Sequence, residues 1–428
     1  MTGASRSAPQ AYPYRWLVLL AFCVLSAAVQ VQWLTFAPIA REARGYFAVS
    51  ALQVDLLSLV FMGVYLIASI PASFAIDTYG LAAGVRTGAA LTLGFALARA
   101  AFPSSYGLVL VAQIGLAVGQ PFVLNAATKL ASQWFPLRER ALAVGLATLS
   151  QFLGIIAVMV AMPELIAGRP IAVALPRALW LWAGLAGVAA LFAVACVRER
   201  PPSAPGPEEP RETMRAGLAR IAQQRDMIVL LVLFTLGLGM FNAISTCIDQ
   251  ICEAKGLDVE QTGMVGAAQL IAGVVGAVVL PIVSDRLRNR RGVLVLCMLG
   301  MLPGLIGLAW AHDYGSLLIA SGLLGFFLLG GGAPIGFQYA AEISYPAPES
   351  TSQGLLLMAG QASGIALILA MNALGTTLSL WGFVVLGAAI VPLTLRLRES
   401  PVMLTDDVRE ALAAARALAD LPEESHRD

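Results

Sequence analysis

The sequence predicts an all-α membrane protein whose twelve transmembrane helices form two six-helix halves, and three observations carry that prediction. Hydrophobic residues make up 58% of the 428 residues and charged residues only 12%, whereas a soluble domain carries about 25% charged. Twelve apolar runs each approach the roughly 20 residues that a helix needs to cross the hydrocarbon core. A Pro-rich stretch, Pro201-Pro202-Ser203-Ala204-Pro205-Gly206-Pro207-Glu208-Glu209-Pro210, separates the sixth run from the seventh.

The runs lie near 16–40, 52–75, 82–102, 107–130, 141–165, 178–197, 227–252, 262–283, 292–310, 315–340, 351–374 and 380–397. A membrane β-barrel would instead show alternating segments of about ten residues. The first run is long and is followed by Pro38 to Arg44, which does not resemble a small-residue cleavage site, so an uncleaved first span is expected. Cys23, Cys196, Cys247, Cys252 and Cys297 fall within or at the ends of runs, as apolar packing residues do, rather than as a disulfide framework.

Charge sets the expected orientation. With both termini in the cytoplasm, all but six of the 27 Lys and Arg fall on the inner side, the exceptions being Arg41, Arg44, Arg99, Arg169, Arg177 and Lys255. The Pro-rich segment cannot span and reads as an extended linker, followed by a short amphipathic helix over 212–224 on the inner surface. The expected units are therefore an N-terminal half over 1–197, a cytoplasmic linker over 198–226, a C-terminal half over 227–398 and a cytoplasmic tail over 399–428. Two parallel halves with a binding site between them at the midplane is the architecture of major facilitator transporters.

An internal echo supports that plan. Asp77-Thr78-Tyr79-Gly80 ends the second run with Arg86 following, and Asp285-Arg286-Leu287-Arg288 ends the eighth with Arg290 and Arg291 following. Both resemble the major facilitator loop in which an acid meets a helix N-terminus and an Arg, an attraction the helix dipole favours. Trp134-Phe135-Pro136-Leu137-Arg138-Glu139-Arg140 and Glu342-Ile343-Ser344-Tyr345-Pro346 are a second matched pair of loops. The expected gating set is Asp77, Arg86, Arg140, Asp285, Arg286 and Glu342, with ordinary loop charges as the other reading.

Gln30-Val31-Gln32-Trp33 places two amides and an indole inside the first run, where lipid offers amides no partner. In the expected fold, spans one, four, seven and ten line the cavity, with five, eight and eleven beside them. The candidate substrate-binding residues are Trp33, Gln32, Gln30, Gln120, Asn125, Gln151, Phe241, Asn242, Gln338 and Gln361, and Gln113, Ser245, Gln269 and Asn372 share those spans. Two readings of the amides stand, a polar path and interhelical glue. Trp33 likewise reads as a π surface for an organic cation or as an interfacial belt aromatic.

Absences narrow the chemistry. Asp55, Glu164, Asp249 and Glu253 fall near expected outer ends, Lys129 and Glu342 near inner ends, and the two histidines are His312 and His426. No carboxylate or histidine stands at mid-depth, where proton-coupled transporters keep an ionisable group, so a uniporter is expected. A proton-coupled exporter of a metabolite or drug is the alternative, and a non-transporting membrane receptor or sensor the alternative of another class. No nucleophile, His and acid set and no metal-ligand spacing is visible in the spans, so neither enzyme activity nor a cofactor is expected. The expected partners are a small solute and the bilayer, not nucleic acid, with the chain working as a monomer in the cell inner membrane.

At these residues the chain resembles the feline leukaemia virus subgroup C receptor family of major facilitators. The stretches that carry the resemblance are Gln32-Trp33, Asp77-Thr78-Tyr79-Gly80-Leu81, Ala131-Ser132-Gln133-Trp134-Phe135, Gly239-Met240-Phe241-Asn242-Ala243-Ile244-Ser245-Thr246, Glu342, Tyr345-Pro346, Gly354-Leu355-Leu356 and Gln361. The resemblance implies facilitated diffusion of choline or ethanolamine, with haem export and pyridoxine transport also associated with such proteins. It implies that Trp33 holds an ammonium group and that Gln151 and Gln361 line the cavity. One departure is plain: the family's second cage aromatic, a Tyr in span seven, is Asn242 here, which leaves room for a smaller amine or a neutral hydrogen-bonding solute.

Overall fold

Residues 12–202, 223–344 and 349–400 are described by the structure, a computed structural model. The amphipathic segment expected before Gln224, Tyr345-Pro346 and the tail beyond Ser400 lie outside them. Twelve helices are long and apolar enough to cross a membrane. The first half holds Arg15–Phe47, Ala51–Tyr79, Leu81–Ala101, Tyr106–Trp134, Leu142–Ile166 and Ile171–Cys196. The second holds Arg225–Thr246, Val259–Leu287, Arg290–Trp310, Tyr314–Ser344, Ser352–Leu374 and Thr376–Thr394. These are spans one to twelve below.

The two halves repeat local devices. Span two starts at a capping box in which the Ser50 hydroxyl accepts from the Gln53 N–H and the Gln53 side chain accepts from the Ser50 N–H. Span eight starts at the same box, made by Asp258 and Gln261. Each box gives partners to backbone donors that a helix start leaves open. Gly80, at φ +101°, turns the chain from span two into span three, a backbone region that residues with a Cβ rarely adopt.

Four spans are broken, which apolar content alone does not reveal. Span one is helical over Arg15–Trp33, turns, and resumes through a short 3-10 segment over Ala37–Ile39 into Ala40–Phe47. Span seven breaks at Cys247 and continues as Ile248–Glu253. Span four breaks at Asn125, four residues after Pro121, consistent with a ring that cannot donate in a helix. Span ten passes through a π-helical stretch over Gly325–Gly332. There small residues let backbones meet: a Cβ on Gly325 would strike the Gln269 carbonyl, and one on Gly276 the Phe326 carbonyl. Such close approach is how helices associate where lipid removes the hydrophobic drive.

Apolar packing is uneven along the molecule. One buried cluster runs from Trp33, Phe36 and Ile39 across into Met240, Ile248 and Leu257, and so joins the halves. A second, built on Val18, Phe22, Leu81, Val123, Trp134 and Ala193, belongs to the first half alone.

A candidate translocation path between the halves

The end of the molecule that carries the breaks of spans one and seven is sealed by polar bonds between halves. Arg41 binds Asp249 through its side chain and its backbone N–H, and its guanidinium also donates to the Leu257 carbonyl at 2.7 Å and to the Thr262 hydroxyl at 3.2 Å. Arg44 pairs with Glu253 at 2.8 Å. The Asp249 side chain is fully buried. Asp55, 2% exposed, receives Gln250 and Asn372 amide donors at 2.6 Å each and the Cys247 thiol at 3.4 Å. Gly263 and Gly266 of span eight pack directly on Met159 of span five.

The opposite end, which carries the linker, is bonded differently. Arg15 pairs with Glu139 at 3.0 Å, Lys129 with Asp77 at 3.2 Å, and Arg290 with both Asp285 and Glu342. Each of these pairs lies within one half. Among the described residues, Arg41, Arg44 and Asp55, all at the sealed end, carry hydrogen bonds and ion pairs between the halves.

The expected path amides form two groups. Gln120 donates to Gln30 at 3.1 Å and Gln30 to Gln151 at 3.4 Å, joining spans four, one and five. In the second half the Asn242 amide donates to Gln361 at 3.4 Å and to the Gly360 carbonyl. Gln151 and Gln361 are half-buried. Trp33 is 6% exposed, and its indole N–H donates to the Ser58 carbonyl at 3.2 Å while the Ser58 hydroxyl returns to the Trp33 carbonyl. Phe241 is buried beside Asn242, whereas Gln338 is exposed on span ten.

Gln32 and Asn125 are placed inside the first half instead. The Gln32 amide donates to the Trp182 carbonyl, and its oxygen accepts from the fully buried Arg99. Arg99 also donates to the Gln32 carbonyl and to Gln113, so it caps the chain where the first helix ends. A helical period explains Gln32: two residues from Gln30 it points to another face. Asn125 accepts from the Tyr65 hydroxyl at 2.9 Å and donates to Ser69 and Ser73, fastening the break of span four to span two.

The gating residues also sit differently from the expectation. Asp77 meets Lys129, while Arg86 and Arg286 are exposed. Arg140 donates to the Phe135 carbonyl of its own loop. The helix N-termini are held by acids the sequence reading overlooked. Glu199 accepts from the N–H groups of Leu81 and Ala82, and Glu399 from those of Arg290 and Arg291. The signal was present as a repeat, Val197-Arg198-Glu199-Arg200 against Leu397-Arg398-Glu399-Ser400, just after spans six and twelve. The Arg41–Asp249 pair carries no comparable signal, because its partners are 208 residues apart.

Two six-helix halves, bonded to each other at one end and, in the described ion pairs, each within itself at the other, define the class as a membrane carrier. The sequence matches the Major Facilitator Superfamily over residues 18–250 and 229–419, and the chain belongs to that superfamily of transporters. It is 30% identical over 377 residues to solute carrier family 49 member A3 of Xenopus tropicalis, covering 83% of this chain and 76% of that protein. It is 27% identical over 402 residues to the human choline/ethanolamine transporter FLVCR2, covering 88% and 76%. Among solved structures, an inward-facing bacterial homologue of the lysosomal transporter Spinster superposes with a TM-score of 0.69 at 15% identity, over 92% of this chain and all of that one. A D-xylose–proton symporter gives 0.71 at 12% identity, over 91% and 99%.

Proposed function

We propose that this chain moves a small polar organic solute, an amine of the choline or ethanolamine type, by alternating-access uniport, and that the structure is its inward-open state. The observation that carries the reading is the gathering at one end of the bonds between halves that Arg41, Arg44 and Asp55 make. The excess of Lys and Arg beside the linker supports placing the other end in the cytoplasm. Relatives whose names state choline and ethanolamine transport support the substrate class.

In this reading Gln30, Gln120 and Gln151 on one side and Asn242 and Gln361 on the other hydrogen-bond the solute. Trp33, tied to span two just inside the seal, offers its ring to a cationic group. A cation would enter down the membrane potential with about 2.3 kcal/mol per charge per 100 mV. The test is uptake of labelled choline and ethanolamine by vesicles holding the purified chain. Saturable flux is expected, persisting when the proton gradient is collapsed and falling in Trp33→Ala. Absence of saturable flux of any amine overturns the substrate class, and flux that stops without a proton gradient replaces uniport by proton-coupled export.

A further inference from the structure

Asp55 is a buried carboxyl whose surroundings offer donors but no cation. It stands on span two, one helical turn from Ser58, which holds the Trp33 indole. Its three partners, Cys247, Gln250 and Asn372, all come from the second half, and all three act on the same oxygen, Oδ2. Among the described residues no Lys or Arg pairs with it.

The charged and titratable groups on the elements around it are otherwise engaged. Arg41 holds Asp249, and Arg44 holds Glu253. Arg99, on span three, is spent on Gln32 and Gln113. Glu42 shares the Arg41 helix. The Cys247 thiol is itself a donor to Asp55. Asp249 is two residues from Cys247 and adds negative charge to the same side.

We propose that Asp55 is a proton-binding site that couples the acidity of the outer solution to closure of the outer end. A carboxylate shut away from water with no cation to offset it is costly, so the neutral acid is the form that a closed site favours. The three donors on Oδ2 favour the carboxylate but bring no net charge, so it is the burial without a cation that favours a proton on Oδ1. When the halves part at this end, the three donors leave with the second half and Asp55 meets outer water as a carboxylate. Closing therefore takes up one proton and opening returns it to the same side, so acid favours the sealed state. The proton is not carried across, because the sealed site is closed to the path below. The groups that meet Asp55 present donors to it, whereas a metal ion needs acceptors.

The test needs no transported solute, so it fails or succeeds separately from the uniport reading. The full chain in lipid nanodiscs carries genetically encoded spin labels at the exposed Ser104 and Glu260, one in each half at this end. The sealed-to-open ratio is read from the distance between them across about pH 5 to 8, a range that brackets perturbed carboxyl groups. The ratio is expected to rise up to about tenfold per unit of acidification, the limit for one linked proton. Asp55→Asn is expected to stay sealed at every pH. Gln250→Lys, which supplies a cation to the same oxygen, is expected to keep the seal and lose the pH dependence. A flat wild-type profile overturns the proposal. So does a slope that survives both variants, or one removed by Asp249→Asn instead.

Discussion

The two ends of this carrier use similar residues to opposite effect. At the sealed end, charged groups reach between halves: Arg41 to Asp249 and Arg44 to Glu253. At the linker end, Arg15, Lys129 and Arg290 find their acids within their own half. One end therefore holds the halves together, while the other makes each half a stiff block. Alternating access needs both, because a seal can release cleanly only if the blocks it joins keep their shape.

The largest expected break in that comparison is Arg41→Met. It strands the fully buried Asp249 carboxylate, and losing one partner of a buried pair costs about 3–5 kcal/mol. Spin labels at Ser104 and Glu260 are expected to shift largely to the long distance. The matching change at the linker end, Arg15→Met, is expected to leave that distance unchanged, since its pair with Glu139 lies within the first half.

Packing gives the next effect. A Cβ on Gly263 would strike the Met159 carbonyl across the seal, whereas Gly145, near the start of span five, has open space around it. Overpacking costs about 1–3 kcal/mol. Gly263→Ala is expected to lower the sealed fraction by the same distance measurement, and Gly145→Ala to leave it unchanged.

Much of this organisation was legible in the sequence, and the remainder was hidden for physical reasons. Composition and run length gave the twelve spans, and the Pro-rich stretch gave the six-plus-six division, because bilayer thickness constrains both. Helical breaks at Trp33 and Cys247 were not legible, since an interrupted span is as apolar as a continuous one. Among the path residues, Gln30, Gln120 and Gln151 come together, as do Asn242 and Gln361. Gln32 reads as a path amide because it lies inside the first span, yet two residues along a helix from Gln30 it is on another face. Arg99 could be read as an outer charge, but not as the group that takes Gln32 inward, because that contact joins spans one and three.

Smaller again is the expected loss on removing one path amide. Gln151→Leu and Gln361→Leu each delete a half-buried polar group on one side of the path, worth about 1–3 kcal/mol if the solute bonds it. The Michaelis constant for amine uptake is expected to rise about tenfold or more in each, with the spin-label distance unchanged. An unchanged constant in both places the solute elsewhere.

The smallest expected effect concerns the blocks themselves. Glu199 closes the start of span three with two bonds at 3.0 and 2.8 Å, and Glu399 closes the start of span nine at 2.9 and 3.3 Å. A carboxylate there satisfies open backbone donors and meets the positive end of the helix dipole. Gln in its place keeps one acceptor and loses the charge, a change of about 0.5–2 kcal/mol by analogy with helix caps. Glu199→Gln and Glu399→Gln are therefore expected to lower the unfolding temperature in detergent by a few degrees and to leave the sealed fraction as it was. Each acid bonds to the half it follows in the chain, so a shift in the sealed fraction would mean that this end also takes part in joining the halves.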